Sequence, residues 1–202
     1  TTSSASSLYQ GNFYFMTSTQ NVYKVLDNNG GTAYSGSEPT STSTSPFASG
    51  GYVLKYMYAI TASNAAKFLT NDYMPVTTDT TVSAAAVGGK IESLVITAGS
   101  GYTNGTYYAP IFGDGASQGT SSGGIVRITI AGGAIASFGL TAGTDTTIHA
   151  GGTGYTFGNV SLTNVFTDTA LSSSTSVGSG SGGAVRIVIS PFDGHGNNAV
   201  NE

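Results

Sequence analysis

Two histidines, one Gly-Asp-Gly turn, two arginines and a set of tyrosines are the groups in this chain that could do chemistry or recognition. His149 and His195 stand in different loops with no second ligand at metal spacing, so each reads as a solvated loop side chain. Asp114, within Gly113-Asp114-Gly115, has the form of a calcium loop, but neither the EF-hand pattern nor the Gly-Gly-x-Gly-x-Asp nonapeptide surrounds it, and a turn aspartate is the simpler reading. Glycoside hydrolysis needs two carboxylates in opposed environments, and the ten acidic residues fall mostly in loops, with no pair singled out and no Trp to stack a sugar. There is no Gly-x-Ser-x-Gly elbow, no phosphate-binding loop and no Cys. The sequence therefore predicts a protein that is not an enzyme and has no catalytic, cofactor-binding or metal-binding residues.

Composition narrows the partners. The six basic residues are scattered singly and the formal charge is −4, so no basic patch is available to neutralise phosphates, and nucleic-acid binding is not expected. No apolar run of about 18 residues is present, and membrane insertion is not expected either. Charged residues are 8% of the chain, against roughly 25% in ordinary globular proteins. Glycine, Ser and Thr take their place, yet recurring Val/Ile/Tyr alternations supply apolar surface enough to fold. The reading is an all-β protein with long polar loops. The first residue is Thr1 and the last stretch is loop-like, so the sequence reads as part of a longer polypeptide.

The elements that would position these groups follow from periodicity. Residues 50–60 form the most strand-like stretch of the first eighty, with Tyr52, Leu54, Tyr56, Tyr58 and Ile60 on one side of a period-two pattern and Val53, Lys55, Met57 and Ala59 on the other. This predicts a central strand packing through its tyrosines. Short strands are expected over 9–16 and 22–26, and a long Gly/Pro/Ser/Thr loop over 27–49, either touching a partner or meandering over the surface. One short helix is expected over 61–69, capped by Thr61 or Ser63, with Lys67 in its last turn. Residues 77–83 read as a linker.

From Gly88 onward the chain repeats itself. Residues 88–99 recur at 132–143, Gly101-Tyr102-Thr103 recurs as Gly154-Tyr155-Thr156, and residues 123–130 recur at 182–189, so the offset grows from 44 to 53 to 59 as loops lengthen. Each copy reads as strand, Gly-Tyr-Thr turn, strand, Gly/Ser loop, and a strand ending in Arg-Ile-x-Ile. Arg127 and Arg186 occupy equivalent positions between β-branched neighbours. They are either interface anchors or solvent-facing strand residues. Tyr102 and Tyr155 read as turn-packing residues.

Val22-Tyr23-Lys24-Val25-Leu26-Asp27, the Pro-containing loop, Gly50-Gly51-Tyr52-Val53-Leu54-Lys55-Tyr56-Met57-Tyr58-Ala59-Ile60, Asn71-Asp72-Tyr73-Met74-Pro75-Val76 and the closing Gly194-His195-Gly196 stretch together resemble the dimeric baseplate wedge subunit of T-even-like contractile-tailed phages. The similarity spans about 9–76 and 190–202, with Leu54 where that family often carries Trp. The resemblance implies a β-sandwich-like core with one short helix over 1–83 and a return to that core over 191–202; the repeats between them, a duplicated small β unit with long Gly/Ser loops over 84–190, depart from the family's common core and read as an insertion. It implies a structural virion protein of the tail baseplate, made in the bacterial host cytoplasm. Its partners would be a second copy of itself and other wedge proteins, and it would take part in contraction-linked rearrangement. Tyr52, Tyr56, Tyr58, Arg127 and Arg186 are the candidate core or interface residues. The alternative is a tail-associated receptor- or glycan-binding module built on the repeats.

Overall fold

A computed structural model describes residues 14–199 and 202, so residues 9–13 of the first expected strand lie outside the described residues. The chain divides into two compact units, one made of 1–86 with 195–202, the other of 87–194. These divisions fall a few residues later than the boundaries read from the sequence. Both units are all-β.

The first unit is built on one antiparallel sheet of β1 (Tyr14–Met16), β2 (Asn21–Asp27), β3 (Phe47–Ser49) and β4 (Tyr52–Ala59), in the order β1-β2-β4-β3. β4 is interior, and six of its eight residues are buried. Its tyrosines do not share one face. In the pairing with β2, Tyr58 lies opposite Val22 and Tyr56 opposite Tyr23, which leaves Met57 as an extra residue in a β-bulge. The bulge breaks the period-two pattern. Met57, Tyr58 and Ile60 consequently pack with Val22 in one cluster, whereas Tyr56 packs with Tyr23 and Val82 in another.

Short helices, not a second sheet, contribute to both clusters. α1 (Ala62–Phe68) begins at Thr61, whose hydroxyl accepts from the Asn64 N–H, and brings Ala65 to the Tyr58 cluster. α2 (Thr80–Ala85) occupies the stretch expected to be a linker. Its β-branched threonines mask it in the sequence, but the Asp79 carboxylate accepts from the N–H groups of Thr81 and Val82 at 2.8 and 3.0 Å, and Val82 is buried in the Tyr56 cluster. The long loop is an ordered meander. Tyr23 donates to the Pro39 carbonyl, buried Lys55 donates to the Thr44 carbonyl, and the Glu38 carboxylate accepts from the backbone and hydroxyl of Ser18.

The second unit contains the repeats. The first copy supplies β5 (Ile91–Thr97), β6 (Gly105–Gly113) and β7 (Ile125–Ala131). The second supplies β8 (Ala134–Ile135), β9 (Thr147–Ala150), β10 (Gly158–Val160), β11 (Val165–Phe166), β12 (Ser174–Thr175) and β13 (Ala184–Ile189). One core runs through both, from Ile91 and Leu94 to Val177 and Val185.

The two copies close on each other by reciprocal exchange. β5 pairs with β13, placing Ile91 opposite Ile189, and β7 pairs with β8, placing Ile130 opposite Ile135, so each copy's first strand is bound to the other copy's last. The turns do the same. Tyr102 N–H donates to the Gly133 carbonyl at 3.0 Å and Tyr155 N–H to the Gly89 carbonyl at 3.1 Å. Gly183 N–H donates to the Tyr102 hydroxyl at 2.9 Å, and Gly124 N–H to the Tyr155 hydroxyl at 3.2 Å. Ile135 N–H meets the Ala98 carbonyl, and Ile91 N–H meets Gly151, both at 2.9 Å. Every bond has its counterpart at the repeat offset.

Glycine makes this approach possible. Gly89 has φ +62°, and a Cβ there would stand 2.4 Å from the Tyr155 nitrogen. A Cβ on Gly180 would stand 2.3 Å from the Tyr102 ring.

Tyr102→Phe and Tyr155→Phe should each lower unfolding free energy by about 1–2 kcal/mol, because each leaves a glycine N–H without its acceptor. Gly89→Ala should cost about 2 kcal/mol or more through strain and collision. Denaturant unfolding monitored by tyrosine fluorescence measures all three.

Candidate functional site

The sequence separates Lys24 from His195 and Glu202 by more than 170 residues, and the fold of the first unit brings the three together. Lys24 points from β2, its ammonium 3.0 Å from Nδ1 of His195 and in contact with the Glu202 carboxylate, which also meets His195 Nδ1. The second carboxylate oxygen accepts from the Gly196 N–H at 2.7 Å. The Lys24 ammonium also lies 5.5 Å from the centre of the Tyr14 ring. Lys24, His195 and Glu202 expose 15%, 10% and 5% of their side chains, leaving no room for a substrate at the charged atoms. This arrangement clasps His195 and Glu202 to β2.

Burial alone would push the Glu202 carboxyl up. Hydrogen bonds from His195 and Lys24, the Lys24 charge and the Gly196 N–H outweigh it and hold the group down at about 2. Burial pushes the Tyr56 and Tyr58 hydroxyls up, and for Tyr56 the Asp79 carboxylate adds to it. Both tyrosines are core residues in this chain, at 5% and 2% exposure. Tyr52 is half-buried and meets the Tyr34 ring edge-on at 5.4 Å, tying the long loop to the start of β4.

The two repeat arginines have unlike surroundings. Arg186 on β13 is exposed, opposite Val95, whereas Arg127 on β7 lies in register between Tyr108 and Thr147 and is half-buried, with its Nη1 atom covered and lacking a hydrogen-bond partner. They form no pair across equivalent contacts. Asp114 acts as a turn residue: its carboxylate takes hydrogen bonds from the Thr156 hydroxyl and from the N–H groups of Thr156 and Phe157, which draw its pKa down to about 2. His149 is exposed on β9 and meets Tyr108 edge-on. Among the described residues no group of three or more His, Asp or Glu could hold a metal ion, and no helix is long and apolar enough to cross a membrane.

The feature of the first unit suited to recognition is an uncovered apolar stretch. Phe68 ends α1 at 59% exposure, Tyr73 follows at 76% and Val76 at 49%. The turn between them is fixed, since Thr70 N–H donates to the Tyr73 carbonyl and the Thr70 hydroxyl accepts from the N–H groups of Asp72 and Tyr73. Three large apolar side chains are thus exposed to water within nine residues. Periodicity could not reveal it, because the residues belong to no single repeating element.

The clasp makes stability acid-sensitive. Folding lowers the Glu202 pKa from an ordinary 4.5 to about 2, so the unfolded chain takes up the proton first and the stabilisation, present above about 4.5, is lost as pH falls toward 2. Glu202→Gln should abolish that part of the acid dependence, measured by thermal unfolding between pH 7 and pH 2.

No family model, curated protein or solved structure matches the chain.

Proposed function

We propose that the chain is a structural, non-catalytic virion protein of a contractile phage tail, a baseplate wedge subunit whose first unit makes the assembly contacts and whose second unit is an insertion. The observation that carries the reading is the exposed Phe68, Tyr73 and Val76 stretch, which falls inside the segment of family resemblance and offers apolar contact area with few charges to desolvate. The occupant proposed for it is a second copy of the chain, with other wedge proteins around the pair.

The insertion reading has its own support. Val87 and Gly194, the first and last residues of the second unit, lie side by side, so that a Cβ on Gly194 would stand 2.4 Å from the Val87 nitrogen. A unit whose ends meet can be inserted into a host fold without disturbing it. The host fold, in turn, retains its returning segment through the Lys24, His195 and Glu202 clasp.

Phe68→Glu and Tyr73→Glu change exposed side chains and should leave the melting temperature within a few degrees of the parent. Light scattering coupled to size exclusion should show a dimer for the parent and a monomer for the double variant, and a tagged parent chain should co-purify with tail baseplates. A parent that stays monomeric at high concentration and is missing from every tail fraction would refute the proposal.

A further inference from the structure

The second unit carries one exposed aromatic ring, Phe157, that its repeat architecture does not require. β10 pairs with β6 so that Asn159 lies opposite Phe112 and Gly158 opposite Gly113. Phe112, Gly113, Gln118, Phe157, Gly158 and Asn159 line an open recess of about 380 Å³. Phe157 is 64% exposed and Phe112 38% exposed. The residue equivalent to Phe157 in the first copy is Asn104, whose side-chain oxygen accepts from the Gly133 N–H at 2.8 Å. A polar residue therefore serves the fold at this position, and a phenylalanine standing in water there has no packing role to explain it.

No charged side chain lines the recess. Phe112 lies against the Gly119 backbone, where a Cβ would come within 2.6 Å of its ring. The Phe157 N–H donates to Asp114 at 3.1 Å, in the same set of bonds that fixes Thr156. The Gln118 side-chain oxygen accepts from the Gly113 N–H at 3.4 Å, which orients the amide and leaves its two N–H donors without a protein acceptor. Asn159 is exposed, and its amide makes no hydrogen bond within the protein.

We propose that this recess binds a neutral hexopyranose unit of a surface glycan, an activity of the inserted unit that is independent of the assembly role of the first. The apolar C–H face of a pyranose ring packs on an exposed aromatic ring, and its hydroxyls pair with side-chain amides, which offer donors and acceptors without charge. No Lys, Arg or His lines the recess to neutralise a phosphate or a sugar acid. A recess this open cannot enclose a ligand, so single-site binding is weak and gains strength by multivalency.

Saturation-transfer NMR on the full chain tests it, with the methyl glycosides of glucose, galactose and N-acetylglucosamine as neutral probes and glucuronate as the acidic one. At least one neutral probe should show transfer, and Phe157→Ala or Asn159→Ala should weaken its binding by about tenfold or more. Phe192→Ala, which changes a residue of the same unit that is 87% exposed and outside the recess, should leave binding unchanged. Thermal melts of all variants should match the parent, since each altered side chain is exposed. Absence of transfer from every neutral probe, transfer from glucuronate alone, or binding insensitive to both recess variants would overturn the proposal.

Discussion

In the repeat region, each copy's tyrosine hydroxyl takes its hydrogen bond from a glycine of the other copy, and each copy's first strand is satisfied by the other's last. Neither copy is complete alone. A strand whose N–H and C=O groups lack partners inside a protein costs about 1–3 kcal/mol per orphaned group, so the exchange of two strands and two turns makes the copies interdependent. The glycines at the points of contact are part of the same constraint: the backbone of one copy reaches the turn of the other only where no Cβ intervenes. The second unit behaves as a dimer carried on one chain.

The first unit depends on a different long-range constraint. Its last segment returns more than a hundred residues after leaving and is held by one lysine, one histidine and one glutamate that are almost closed to water. Breaking a buried ion pair is much more costly than forming it is favourable, so such a group specifies where the segment docks more than it adds stability. Around this clasp, the sheet buries tyrosines on both faces and leaves its apolar excess at Phe68, Tyr73 and Val76.

Much of this was legible from residue order. Strand-forming alternation, the long polar loop, the Thr61-capped helix and the repeats all follow from local chemistry, and the all-β character with them. The exchange was not legible, because repetition states that two copies have equal strands without saying which strand pairs with which. The pairing of Ile130 with Ile135 is a local hairpin, but its equivalent joins Ile91 to Ile189 across nearly the whole unit. The split of Tyr56 from Tyr58 hinges on one bulged residue, Met57, which periodicity cannot foresee. α2 is hidden by helix-averse threonines and depends on the Asp79 cap and on burial of Val82. Of the candidate recognition residues, Tyr56 and Tyr58 turned inward, while Tyr52 is half-buried against Tyr34. The exposed ring at Phe157 becomes conspicuous only once its equivalent in the other copy, Asn104, is seen to serve the fold as a polar residue.

Interdependence of the two copies is the central claim, and native-state hydrogen exchange tests it most directly. The amide protons of Ile91, Tyr102, Gly124, Ile135, Tyr155 and Gly183 all lie in the exchanged contacts. If the copies open together, these protons share one opening free energy, and Tyr155→Phe lowers it equally in both copies. Exchange in which one copy opens at markedly lower free energy while the other stays protected would contradict the account.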